Sequence, residues 1–165
     1  MNGRSLTTHA GKHQAHVLSE ILGGHTTKGI SEQAEIPRVT FTEPQIAAVG
    51  LTLQAGIDAG LEVRAYDVPS SGTAGASFHG RNTPGTARIV VDERNGVIVG
   101  ATFTGADVAE WVHAATIAIV GRIGVERLWD AVAAFPTRSE IWLKLLERRE
   151  AELSADRASA QNRAA

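Results

Sequence analysis

The sequence predicts an α+β domain in which one antiparallel β-sheet carries helices on one face, and three observations predict it. Ala87, Ile89 and Val91 alternate with Arg88, Val90 and Asp92, and Glu93-Arg94-Asn95-Gly96 leads into the run Val97 to Phe103. Two strands joined by a short loop holding Asn-Gly make a β-hairpin. Next, Val108, Val112, Ala115 and Ile119 recur at i, i+4, i+7 and i+11, the stripe of a helix. Finally, the strand before that helix closes a hairpin and does not open a βαβ unit, so a parallel sheet is not expected.

The remaining elements follow in order. Leu6 to Leu22 reads as a helix that Ser5, Thr7 or Thr8 caps, with Val17, Leu18, Ile21 and Leu22 on its apolar side and Gly23-Gly24 at its end. His25 to Glu35 is a polar linker, and a domain boundary falls near Ile36-Pro37. Arg38 to Thr42 is a short strand, and Thr42-Glu43-Pro44 has turn or helix-start chemistry. Thr52 caps a helix from Leu53 to Ala59 that Gly60 stops, and Leu61 to Val68 alternates as a half-buried strand. Ser70 to Gly85, rich in Gly, Ser, Thr and Asn, reads as an exposed loop. Asp107 is the expected cap of helix 108–120, and Gly121 its end. Trp111, Ala114, Ala118 and Val120 make the rest of that helix apolar too, which predicts burial on more than one side. Val125 to Ala133 and Ser139 to about Glu150 are the last helices. Residues 151–165, poor in large apolar side chains, are expected to form a disordered tail. The organisation expected is a helix and linker over 1–35, a domain over 36–150, and the tail.

Composition excludes several classes. The 165 residues contain no cysteine, which removes disulfides, thiol nucleophiles, redox dithiols and zinc–thiolate sites. Sixteen basic against eighteen acidic side chains give a net charge of −2, too balanced for a nucleic-acid footprint. No apolar run approaches the roughly 20 residues that span a bilayer, and the start has no secretory core. A cytoplasmic domain without membrane or nucleic-acid partners is expected.

Local chemistry is sparse. His9, His13 and His16 share one helix face at i, i+4 and i+7, a spacing able to chelate Zn²⁺ or Ni²⁺. A polar helix face in which histidine recurs is the simpler account, because no carboxylate follows at ligand spacing. Ser77 and His79 sit in a glycine-rich loop, but the second glycine is one place late for a nucleophile elbow. Gly100 and Gly105 lack the spacing of a dinucleotide fingerprint. Glu140 stands at the start of the last helix, where a carboxylate is favoured by about 0.3–1 kcal/mol.

Several segments, in this order, belong to one pattern: Ile36-Pro37-x-Val39-x-Phe41-Thr42-Glu43-Pro44, Ile46-Ala47-x-Val49-Gly50-Leu51-Thr52, Val99-Gly100-Ala101, Ala109-Glu110, and Phe135-Pro136-Thr137-Arg138-Ser139-Glu140. From Ile36 to Glu147 the chain resembles the C-terminal dimerisation domain of the FAD-dependent pyridine nucleotide-disulfide oxidoreductases, the family of dihydrolipoamide dehydrogenase and mercuric reductase. Leu6 to Ala15 resembles the last helix of that family's FAD domain. The resemblance implies a domain that joins two subunits, each completing its neighbour's active site, which would account for Trp111, Trp129 and Trp142.

In the family the closing motif begins with a histidine, the acid–base of the redox dithiol, oriented by the motif's glutamate. Glu140 matches the glutamate, whereas Phe135 occupies the histidine position. Phenylalanine has no titratable proton, so that chemistry does not carry over. Two backbone roles remain implied. The Phe135 carbonyl before Pro136, across a peptide bond that is typically cis, would face the partner's flavin. The amides of Thr8, His9 and Ala10 would face the flavin pyrimidine. FAD is therefore implied in a parent enzyme, with none bound by this chain alone. A complete member needs two further nucleotide-binding domains, so 165 residues are expected to be a part of one. The expectation is the homodimeric interface domain of an FAD-dependent NAD(P)H oxidoreductase, present as a fragment without redox activity. The alternative is a freestanding interaction module that docks onto a separate flavoprotein.

Overall fold

The computed structural model describes residues 5–25, 35–80 and 84–164. Five strands form one sheet: β1 (Arg38–Thr40), β2 (Gln45–Gly50), β3 (Val63–Pro69), β4 (Thr86–Asp92) and β5 (Val97–Gly105). Their spatial order is β1-β2-β5-β4-β3, and every neighbouring pair is antiparallel. The helices are α1 (Thr8–Leu22), α2 (Leu53–Asp58), α3 (Val108–Val120), α4 (Val125–Leu128) and α5 (Ile141–Ala164), with 3-10 turns at Ala74–His79 and Arg138–Glu140. Among the described residues no helix is long and apolar enough to cross a membrane.

The period-two rule of strands explains the core. Phe103 lies opposite Ala47 on one side and Ala87 on the other, and Ala101 lies between Val49 and Ile89. Tyr66 pairs with Ile89, so one face of four strands is lined by buried side chains. Helices α3 and α5 cover that face through Val108, Trp111, Val112 and Ala115, and through Ile141, Leu145 and Leu146. Burying each large apolar side chain contributes about 1.5–3 kcal/mol. The opposite face carries Arg88, whose guanidinium grips Asp67 across the strands at 2.6 and 2.7 Å.

The hairpin forms as expected. Gly96 takes a φ of 61°, and the Asp92 carboxylate accepts from the amides of Arg94 and Asn95 and from the Asn95 side chain. Those donors, the Asn95 side chain first, hold the Asp92 carboxyl below its ordinary value. Thr52 caps α2 by accepting from the Ala55 amide at 3.1 Å.

Other expectations are corrected. Helix α1 starts at Thr8, not Leu6, and β1 stops at Thr40, not Thr42. Strand β2 was not anticipated; it pairs with both β1 and β5. The segment after β3 is not simply an exposed loop, since Ser70, Thr73 and Ala76 are buried around the Ala74–His79 turn. Asp107 takes the N-cap position of α3 as expected, but in the left-handed region at φ 58° and without a side-chain capping bond. Helix α4 ends at Leu128, well short of Ala133. The polar linker falls mostly on residues 26–34, outside those described.

The last helix does not fray at Glu150. It runs to Ala164, and Arg64 on β3 ties it down by bonds to Glu152 at 2.7 Å and Asp156 at 2.5 Å. Alanines at 155, 158 and 160 supply strong helix propensity where no core contact is made. Upstream, Arg149 grips Glu93 at 2.7 Å, and Glu93 also accepts from the Tyr66 hydroxyl at 2.8 Å. Burial and then this carboxylate push the Tyr66 phenol above its ordinary range.

Where the chain leaves β2 it crosses β5 so closely that a Cβ at Gly100 would collide with the Leu51 carbonyl, and the Leu51 amide donates to the Val99 carbonyl there at 2.9 Å. Gly100→Ala is expected to cost about 1–3 kcal/mol, read as a lowered denaturant midpoint in chemical unfolding.

Candidate functional site

Expected site residues fall in two places. The first is the turn that joins α4 to α5. The Phe135–Pro136 peptide is cis, and the Thr137 hydroxyl closes the turn by donating to the Ala134 carbonyl at 2.6 Å. Phe135 is 77% exposed. Behind the turn, a Cβ at Gly75 would strike the Thr137–Arg138 backbone, so the Ala74–His79 segment fixes the turn's position.

Glu140 closes this segment. Its Oε2 is buried and has no hydrogen-bond partner. Arg138, two residues earlier, lies with its guanidinium 4.4 Å from the centre of the Trp111 ring. All three guanidinium nitrogens are buried without a hydrogen-bond partner. Desolvation lowers the Arg138 pKa from its ordinary value, and attraction to Asp107 opposes that shift. Neither this charge nor its aromatic seat was foreseen from the sequence; the only signal was a cation inside Pro136-Thr137-Arg138-Ser139-Glu140.

Beside the turn the surface is apolar and concave. A trough of about 500 Å³ is lined by Ile117, Ala118, Ile123, Leu128, Val132 and Trp142, among others. A second, of about 280 Å³, adjoins it at Leu128 and Val132 and extends to Trp129, Phe135, Glu140 and Leu143. Helix α3 borders the first. Its inner face is buried on the sheet, while Ile117 and Val120 on its outer face stay 53% and 57% exposed. The expected burial on more than one side is thus met on one side only within a single chain. The tryptophans divide likewise: Trp111 and Trp142 pack edge-on against Phe103, and Trp129 lies at the surface.

The second place is the start of α1. Thr8 and His9 are exposed and Ala10 is buried. Thr7, at the cap position, accepts no bond from a first-turn amide through its side chain, whose hydroxyl meets the His9 ring at 3.1 Å instead, so the amides of Thr8, His9 and Ala10 have no intrahelical acceptor. The His9 ring donates to the Pro37 carbonyl at 2.7 Å. Among the described residues no hydrogen bond or ion pair joins these residues to Phe135 or Glu140. His9, His13 and His16 form no group able to hold a metal among the described residues. Ser77 donates to the Ala74 carbonyl at 2.8 Å and closes a turn.

A family model described as the pyridine nucleotide-disulphide oxidoreductase dimerisation domain matches residues 36–146. The chain belongs to that family. A dihydrolipoyl dehydrogenase of Mycobacterium tuberculosis is 32% identical over 141 residues, covering 85% of this chain and 30% of the relative. That of Bacillus subtilis is 25% identical over 139 residues, covering 84% of this chain and 29% of the relative. The fold also matches solved structures. The crystal structure of LpdA from M. tuberculosis superimposes with a TM-score of 0.79 at 24% identity, over 88% of this chain and 31% of that one. RclA, a HOCl-induced flavoprotein disulfide reductase from Escherichia coli, does so with 0.75 at 18% identity, over 88% and 33%. The chain therefore spans about 30% of the curated relatives it matches.

A buried cation without an acceptor costs more than its contact with one ring returns. Arg138→Met is expected to keep the fold and raise stability by about 1 kcal/mol in denaturant titration; a loss of that size would contradict the geometry.

Proposed function

We propose that this dimerisation domain joins two subunits of an FAD-dependent NAD(P)H oxidoreductase in the cytoplasm, and that each copy offers its 135–140 turn to a flavin held by the other. The observation that carries the reading is the outer face of α3, where Ile117 and Val120 are exposed beside an apolar trough of about 500 Å³. Contiguous exposed apolar surface of this kind is costly in water and is relieved when a second surface covers it.

The fit of the chain to a flavin rests on backbone groups. The amides of Thr8, His9 and Ala10 begin a helix with no intrahelical acceptor, a place that favours developing negative charge. The Phe135 carbonyl lies on an exposed turn beside the trough. Bound FAD would supply the hydride and electron transfer. What this chain's residues contribute is a fixed dipole at each place, and exclusion of water by the Phe135 ring. Proton transfer to a dithiol is not among them, because Phe135 has no titratable proton and, among the described residues, no imidazole bonds Glu140 Oε2. The parent enzyme is accordingly not a disulfide reductase of the usual kind, and the chain by itself carries no redox activity.

A second reading, a freestanding module docked on a separate flavoprotein, is favoured by one feature. Leu18, Ile21 and Leu22 on α1 are all more than half exposed, so that helix too has an uncovered apolar side.

Sedimentation velocity distinguishes pairing from its absence. The chain is expected to sediment as a dimer at micromolar concentration, and Ile117→Asp to yield a monomer of unchanged helix content by circular dichroism. A wild-type monomer would contradict the reading.

A further inference from the structure

We propose that the Asn95-Gly96 step at the tip of the β4–β5 hairpin is a site of spontaneous deamidation, which Asp92 holds in check in the folded chain. The chemistry needs only these two residues and water. The Gly96 amide nitrogen gives up its proton and attacks Asn95 Cγ; the Cγ–Nδ2 bond breaks, ammonia leaves, and a five-membered succinimide forms. Water then opens either carbonyl of the ring. One opening leaves aspartate, and the other leaves isoaspartate, in which the main chain runs through the side-chain carbon. Glycine favours the step because it has no side chain to crowd the attacking nitrogen. Asn95 is exposed, and a Cβ added at Gly96 would meet nothing within 4 Å, so the tip is open to water.

One buried residue restrains the step in three ways. The Asp92 carbonyl accepts from the Gly96 amide at 2.8 Å, so the proton that must leave is already engaged. The Asp92 carboxylate accepts from the Asn95 side-chain amide at 2.6 Å and from the Asn95 backbone amide at 3.2 Å. Turning Asn95 Cγ onto the Gly96 nitrogen gives up the side-chain bond. The carboxylate also sets a negative charge beside a nitrogen that must itself become negative. Conversion would reach beyond the tip. An aspartate at 95 puts a second carboxylate where an amide donated to Asp92, and the two repel. The same loop holds other elements in place. The Gly96 carbonyl accepts from the amide of Val125, the first residue of α4, at 2.8 Å, and Glu93 holds Arg149 of α5 at 2.7 Å. Isoaspartate adds a carbon to the main chain and displaces Gly96 relative to Asp92 and Val125. Either product therefore loosens the start of α4.

The proposal does not depend on the subunit-joining reading. Its test ages the full chain in mildly alkaline buffer, folded and in urea, and follows the mass gain from amide to acid by peptide mapping. Mapping separates Asn95 from Asn2-Gly3, the other Asn-Gly step of the sequence. Asn95 is expected to react about tenfold or more slowly in the folded chain than in urea, where the Asp92 bonds are broken. Asp92→Ala is expected to quicken the folded-state reaction severalfold. Asn95→Asp, at an exposed position, keeps the test open if Asp92→Ala fails to fold. In that variant, hydrogen exchange at the Gly96 and Val125 amides is expected to speed up severalfold while the centre of the sheet stays protected. Equal rates in the folded chain and in urea, an unchanged rate in folded Asp92→Ala, or unchanged exchange in Asn95→Asp would each overturn the proposal.

Discussion

The ring of Phe103 is where the sheet meets helices α3 and α5. It is wholly buried on the central strand β5 and lies edge-on to Trp111 of α3, at 5.9 Å and 73°, and to Trp142 of α5, at 6.1 Å and 68°. Such pairs contribute about 0.5–1.5 kcal/mol each beyond the area they bury. Its cross-strand neighbours are the small residues Ala47 and Ala87, which leave room above the sheet for the two indoles. A larger side chain at either alanine would push the helices off the sheet.

That constraint determines what the surface can do. With Trp111 turned inward to Phe103, the opposite side of α3 must face out; after Glu110 and His113 in its first half, the sequence there is apolar, with Ala114, Ile117 and Val120. Trp142 likewise fixes the start of α5, and with it the 3-10 turn that holds Arg138 and Glu140. One buried aromatic cluster thus aligns an apolar trough, an exposed phenylalanine and an unpartnered carboxylate along one side of the domain. The proposed pairing face and the 135–140 turn therefore lie on one side of the domain.

Much of this arrangement was legible in the sequence where local patterns are strong. Asn95-Gly96 between alternating runs gave the hairpin, and the i, i+4, i+7 stripe gave α3 with correct bounds. Strand β2 escaped because Ile46-Ala47-Ala48-Val49 is an unbroken apolar run, too short for periodicity to separate strand from helix. The last helix was underestimated because its outer half is held by Arg64, 88 residues from Glu152 in sequence. The Tyr66–Glu93–Arg149 cluster and the seat of Arg138 on Trp111 are also assembled by the fold alone, since no spacing along the chain announces them. For the candidate site, Phe135 and Glu140 came from a family motif, whereas the groove between them depends on how α4 ends early and leaves residues 129–135 to form its wall.

The central claim, that the uncovered side of α3 and the segment after α4 is where copies meet, is tested most directly by hydrogen–deuterium exchange of the intact chain at a concentration well below and well above self-association. The prediction is that amides in 113–121 and 128–143 gain protection at the higher concentration while those of the edge strand β1 do not change. Protection that is independent of concentration, or that rises only at β1, would contradict it.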